Sequence, residues 1–171
     1  MDNDKLEDWM RIALEEAALA IEAGELPIGG ILVGGDEILQ RAQTSVVREG
    51  TIVAHGELLA LSRAKGAVWT ANRPIALVTT LEPCLMCLGA AMQCRVDVIA
   101  YGMRCAPDGG LSVSGCIEEA GQVTPKVIGP VLESECVEMF QRWPHSSDHP
   151  AYGYVKAILD AYNVRLHSES R

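Results

Sequence analysis

The chain is poor in aromatic residues. A single Phe stands among 171 residues, and Phe, Trp and Tyr together make up 5%. The core must therefore be built mainly from aliphatic side chains. Long apolar runs are missing too, and none reaches the roughly 20 residues that cross a bilayer. The first residues, Met1-Asp2-Asn3-Asp4, lack the basic start of a signal or transit peptide. Six Cys without a secretion signal then point to a reducing, cytoplasmic setting. Positive charge is also scarce. The formal net charge is −9, and the densest basic group (Arg63, Lys65, Arg73) is thin. A protein that grips a polynucleotide neutralises phosphates with Lys and Arg. The balance favours a small neutral substrate and argues against nucleic acid. No repeat, low-complexity stretch or linker interrupts the chain, so residues 1–171 are expected to form a single domain.

What the chain does have is a pair of short motifs. Ala54-His55-Gly56-Glu57 is followed by Glu82-Pro83-Cys84-Leu85-Met86-Cys87, with His55 and Cys84 29 positions apart. A Cys-x-x-Cys pair and a distant His make a ligand set that Zn²⁺ favours, and three protein ligands leave a fourth position open for chemistry. Glu57 is a carboxylate placed to move a proton there. Taken singly, each piece has a plainer account. A lone C-x-x-C serves redox or structural zinc sites, and His followed by Glu on a helix is usually a solvated face. The conjunction H-x-E … P-C-x-x-C is the signature of zinc deaminases. Cys94, Cys105, Cys116 and Cys136 show no ligand spacing and read as small hydrophobes or incidental thiols.

Hydrophobic period orders the rest. Leu6, Trp9, Met10, Ala13, Ala17 and Ile21 make one stripe of a helix over 4–23, closed by Gly24. Residues 28–33 and 37–41 read as a hairpin about Gly34-Gly35-Asp36. A loop over 42–53 leads to a helix over 57–64. The nearly all-apolar runs 74–80 and 96–101 suit buried strands joined through a helix over 84–93, a βαβ unit with a parallel pair. A loop over 102–121, a strand at 126–129, a helix over 130–142 and a last helix over 151–162 complete the pattern, with a frayed tail to Arg171. Cys84 and Cys87, three apart, share a helix face in the first turn, where free N–H groups favour thiolates. His55 and Glu57, two apart, point away from each other on an ideal helix. They can cooperate only if His55 lies at the helix entry.

Three segments, L-P-I-G-G-I-L-V, A-H-G-E-L-L-A-L and T-T-L-E-P-C-L-M-C-L-G-A, make the chain resemble the cytidine deaminase superfamily. The likeness is to the branch of nucleobase deaminases and tRNA adenosine deaminases, and it runs from about Leu6 to about Trp143. It implies a three-layer α/β/α sandwich with a five-stranded mixed sheet, zinc at two helix starts, and a homodimer. His55, Cys84 and Cys87 would hold Zn²⁺. Glu57 would pass protons from the zinc-bound hydroxide's parent water to a ring nitrogen and then to departing ammonia. The Gly56 N–H and the Glu82 carbonyl would hold the substrate.

Relatives carry an Asn about eleven residues before the metal His. Here that place is Thr44, beside Gln43, and the two readings are contact with a different substrate and an ordinary polar loop. Past Phe140 the chain reads F-Q-R-W, as in guanine deaminases whose tails close the pocket. Residues 143–171 are therefore a candidate lid, with Trp143, Asp148, His149, Tyr152 and Tyr154 as its polar and aromatic members. The plain alternative is that these rings pack the last helix on the core. The expectation is a hydrolytic deaminase of a free nucleobase or related amino-heterocycle. The alternatives are a tRNA adenosine deaminase and a zinc-stabilised binding protein with a dead site.

Overall fold

In the computed structural model, which describes residues 2–113, 116–117, 123–144 and 146–163, α1 covers Asn3–Glu22. Its buried apolar side chains are Leu6, Trp9, Met10, Ala13, Ala17 and Ala20, the expected stripe with Ala20 in place of Ile21, and Glu16 is buried beside them. Gly24, at φ +75°, turns the chain out of the helix while the Glu25 N–H bonds back to the Ala20 carbonyl. The hairpin follows as β1 (Gly29–Gly34) and β2 (Glu37–Gln43), turning at Gly35 with φ +61°. Strand β1 runs close beneath α1. A Cβ on Gly29 would lie 2.2 Å from the Ala13 carbonyl oxygen, so only glycine allows this approach.

Strands β3 (Ile75–Leu81), β4 (Val98–Met103) and β5 (Lys126–Ile128) complete one sheet in the order β2-β1-β3-β4-β5. Strand β1 is antiparallel to both neighbours, while β3, β4 and β5 are mutually parallel. The mixed five-stranded sheet of the resemblance is therefore present. Strand period divides the core. Ala76, Val78, Val98 and Ala100 face a layer holding Trp9, Met10 and Phe140. Ile75, Leu77, Ile99 and Tyr101 face the other layer, with Ala60, Leu61, Leu88 and Ala91. Strand β3 is buried along its whole length, as its apolar run requires of a strand covered on both faces.

Several boundaries differ from the sequence expectation. The loop expected at 42–53 contains a helical turn, α2 (Val46–Glu49), and β2 extends two residues further, to Gln43. Helix α3 (Gly56–Arg63) is followed by a four-residue helix α4 (Ala67–Thr70) that no period announced. Helix α5 (Leu85–Gln93) begins one residue after Cys84. Within 102–121, β4 continues to Met103 and Gly110–Val113 forms a 3-10 turn. Helix α6 spans Glu133–Gln141, shorter than expected at its start because Leu132 takes a left-handed conformation at its entry. Helix α7 spans Tyr152–Asp160. The tail beyond 163 lies outside the described residues. Strands β3 and β4 end side by side where α3 and α5 begin, and this junction carries the motif residues.

Candidate metal centre

His55 is the residue just before α3, with φ −72° and ψ 144°. That extended conformation resolves the spacing problem: the imidazole leaves from outside the helix, while Glu57 sits inside its first turn. Cys84 plays the same part for α5, with φ −68° and ψ 170°, and Cys87 lies in the first turn. The fold thus sets two helix starts face to face. His55 Nδ1 is 3.6 Å from Cys84 Sγ and 3.5 Å from Cys87 Sγ, and the two sulfurs are 3.6 Å apart. Metal–sulfur bonds of about 2.3 Å and metal–nitrogen bonds of about 2.0 Å at tetrahedral angles place sulfurs about 3.8 Å apart and sulfur and nitrogen about 3.5 Å apart. The three atoms therefore fit one face of a tetrahedron around a single ion, with the fourth corner uncommitted.

The electrostatics match that donor set. The Cys87 thiol and His55 stabilise the Cys84 thiolate against burial and bring its pKa down to about 4. Cys87 is pushed up by the same contact and by burial, so the two sulfurs share one proton, which an ion would displace. The bond to Cys84 raises His55 despite burial. Glu57 is 3% exposed, and its Oε2 has no hydrogen-bond partner among the described residues. Burial raises its pKa, with Cys84 adding to the rise and His55 opposing it. A carboxylate beside a candidate metal site, short of partners and biased toward its protonated form, is a group fitted to take up and return a proton.

The other expected contacts separate into two groups. Gly56 lies against the Gln43–Thr44 backbone, where a Cβ would come within 3.2 Å of the Gln43 carbonyl carbon and the Thr44 nitrogen. This brings Gln43 and Thr44 next to the metal helix. Thr44 is 2% exposed and its Oγ1 also lacks a partner among the described residues, whereas Gln43 is half-buried. Trp143 does not line the site as placed. It is buried in the opposite core layer, its Nε1–H donates to the Glu25 carbonyl at 3.0 Å, and its ring meets His149 edge-on at 4.8 Å. Aromatic burial outweighs a lid position here. Asp148 is exposed, and His149 Nδ1 accepts the Ala151 N–H. Tyr152 opens α7 half-buried and is not brought into the metal cluster.

Three features of the site escaped sequence reasoning. Glu82 turns its side chain into the protein, accepting the N–H groups of Cys105 at 3.1 Å and Leu111 at 3.3 Å. That pins the 105–111 segment along Cys84, where Gly109 bridges to Cys84 and the Gly110 N–H reaches the Pro83 carbonyl. Asp108 accepts from the Cys105 thiol and from the Tyr154 hydroxyl, so α7 ties down the same segment. Glu25, 2% exposed, takes the Val47 and Arg48 N–H groups and fixes the turn that follows Thr44. Apart from the Cys105–Asp108 contact, between residues three apart, these side-chain partners lie at least 22 residues away, and no local pattern marks such pairings.

Residues 3–119 match the MafB19-like deaminase family. A tRNA-specific adenosine deaminase of Bacillus subtilis (strain 168) is 39% identical over 140 residues, 80% of this chain and 85% of that protein. A structure from work on A-to-I editing by tRNA:A34 deaminases at the wobble position of transfer RNA superposes with a TM-score of 0.70 at 30% identity. It covers 77% of this chain and 98% of the other. The fold is shared with NE0047 in complex with 2,6-diaminopurine, at a TM-score of 0.68 and 22% identity over 85% of this chain and 86% of that one.

Proposed function

The chain belongs to the MafB19-like deaminase family, of cytidine deaminase-like fold, and is a hydrolytic deaminase; from that premise we propose that it holds zinc and converts an adenosine presented by transfer RNA to inosine. The observation that carries the substrate is the 39% identity that spans 85% of a tRNA-specific adenosine deaminase. The metal rests on the His55, Cys84 and Cys87 triangle. Bound zinc supplies Lewis acidity, which brings the ionisation of water to near-neutral pH.

The chain's own residues do the rest. Glu57 accepts the proton that water gives up and delivers it to the ring nitrogen beside the amino-bearing carbon. That carbon becomes the electrophile, water's oxygen bonds to it, and the C–N bond breaks as Glu57 passes a second proton to the departing amine. Water is consumed and ammonia released. The Gly56 N–H belongs to a helix start, where first-turn N–H groups lack partners within the helix, and in this reading it holds the base. The Glu82 carbonyl faces the amine in this scheme. Leu85 and Met86, exposed between the two cysteines, form the buried side of a homodimer in this reading.

One observation favours a second substrate class. Thr44 stands where relatives carry Asn, and its hydroxyl is buried without a partner among the described residues. A changed polar contact alters which analogue a site rejects. A free amino-heterocycle such as guanine or cytosine is therefore the alternative, consistent with the charge of −9. Ammonia release by zinc-loaded protein decides between them, with a tRNA anticodon stem-loop, nucleosides and free bases as substrates and Glu57→Gln as blank. Turnover on the stem-loop establishes the first reading, and turnover on free bases alone replaces it with the second.

A further inference from the structure

We propose that the end of the sheet opposite the metal centre is an RNA-binding surface, formed by Lys65, Arg95 and Lys126 around Arg73 and Trp69. The RNA reading above supplies the identity of the polyanion. The same two helices define both ends of the molecule. The starts of α3 and α5 hold His55 and Cys84, and their far ends carry Lys65 and Arg95. Helices of eight and nine residues put the two ends about 12–14 Å apart. Lys65 and Arg95 both take left-handed backbone, φ 50° and 53°, just past the helix ends, and both are exposed. Strand β5 starts at the same end, and its first residue, Lys126, is exposed and pairs across from Val98.

Charge is distributed unevenly. Of the 14 Lys and Arg, Arg165 and Arg171 lie outside the described residues. Eight of the other twelve sit within ion-pair distance of a carboxylate. The four that do not, among the described residues, are Arg48, Lys65, Arg95 and Lys126, and three of these meet at this one end. Two of the acids at this end are engaged, Asp97 by Arg73 and by the Ile75 N–H, and Asp36 by Lys5; exposed Glu37, across from Gly34, makes no ion pair among the described residues and stands at the β2 side, away from Lys126 on β5. Arg73 also donates to the Arg95 carbonyl, which joins the two basic segments. Trp69, on α4 between Lys65 and Arg73, is 80% exposed. Unpaired cations around an exposed indole suit a phosphate backbone with an unpaired base stacked on the ring.

The test uses the full zinc-loaded chain and fluorescence anisotropy with a labelled single-stranded RNA and a tRNA transcript at 50 and 200 mM salt. The charge-removing variant is Lys65→Asn, Arg95→Asn and Lys126→Gln together, with Asn chosen because it tolerates left-handed backbone. Its melting curve is compared with the parent's to show that it folds. It is expected to bind both RNAs at least tenfold more weakly at 50 mM salt. Its dependence of log K on log salt should be shallower by about two units, since each phosphate contact contributes about 0.7–0.9. Trp69→Ala should weaken binding of the single strand about 5- to 150-fold. Single-turnover deamination of a minimal substrate stays as in the parent. Unchanged affinity and slope in the triple variant overturn the proposal, as does equally tight binding of polyglutamate, which marks an acidic-protein surface. RNA binding through this end without deamination of any tRNA leaves the surface standing and removes the substrate reading. Deamination of tRNA with unaltered binding by the variants does the reverse.

Discussion

In the proposed reaction Glu57 is the residue on which the chemistry turns. Its Oε2 is buried without a partner among the described residues, so the carboxylate is held for a role other than packing. Glu57→Gln keeps the shape and removes the proton carrier. Turnover should fall about 10²–10⁴-fold or more, with the metal content by elemental analysis unchanged. Loss of the metal together with the activity would instead make Glu57 a support for the ligands. The thiols make a second prediction at this scale. Burial pushes Cys105 and Cys136 up to about 12, with Asp108 adding to the effect at Cys105 and Glu135 at Cys136. A raised thiol pKa means that the thiolate is scarce at neutral pH and grows about tenfold for each pH unit. In the zinc-loaded protein, where Cys84 and Cys87 would be occupied as ligands, iodoacetamide at pH 7.5 should therefore label exposed Cys116 first, and Cys105 and Cys136 should react only as pH rises or as the protein unfolds.

At the scale of elements, contacts between distant segments position the site. Strand β4 packs on α6 through Gly102, where a Cβ would lie 2.2 Å from Cys136 Sγ and 2.7 Å from the Thr80 carbonyl oxygen. Gly102→Ala should destabilise by about 1–3 kcal/mol in denaturant melts. Helix α6 would have to shift, because the strand cannot. The 105–111 segment depends on Glu82 in a similar way. Glu82→Ala leaves the Cys105 and Leu111 N–H groups without that acceptor, at about 1–3 kcal/mol, and frees the segment that runs along Cys84. Proteolysis within 105–111 should quicken. The helix over 4–23 and the apolar strand of 74–80 were legible because each has a strong period or a buried run. The loop over 42–53 and the start of α6 were not. The turn after Thr44 is held by Glu25, 22 residues earlier, and Leu132 enters α6 through a left-handed residue that no composition rule marks.

For the whole molecule, a metal held by His55, Cys84 and Cys87 would tie two helix starts that are 29 residues apart to one point, so its binding would add directly to folding stability. A chelator should lower the melting temperature reversibly. At a thousandfold excess of zinc over its Kd the linkage is about 4 kcal/mol, on the order of 10 °C for a chain of this size. An unchanged melting curve with the metal removed would mean that the two helix starts hold their places without it. Trp143 shows how the whole overrides the part. Its motif reads as a tail ring over the pocket, yet the fold uses the ring to fill the layer opposite the metal and to bond Glu25, which in turn fixes the turn beside Thr44.

The sequence by itself determined the His55, Cys84 and Cys87 cluster that could hold a metal, the proposed proton carrier Glu57, the βαβ unit that joins β3 to β4 and the family. These depend on local spacing: two cysteines three apart at a helix start, a carboxylate two past a histidine, and apolar runs long enough for buried strands. Only the tertiary structure decided how His55 and Glu57 share one site, through an extended residue ahead of α3. It also placed Trp143 inside, and at the far end of the sheet three cations that make no ion pair among the described residues. Those outcomes rest on close packing and on hydrogen bonds between residues 22 to 118 positions apart. A buried group takes whichever partner the fold brings to it, and that choice leaves no period in the chain.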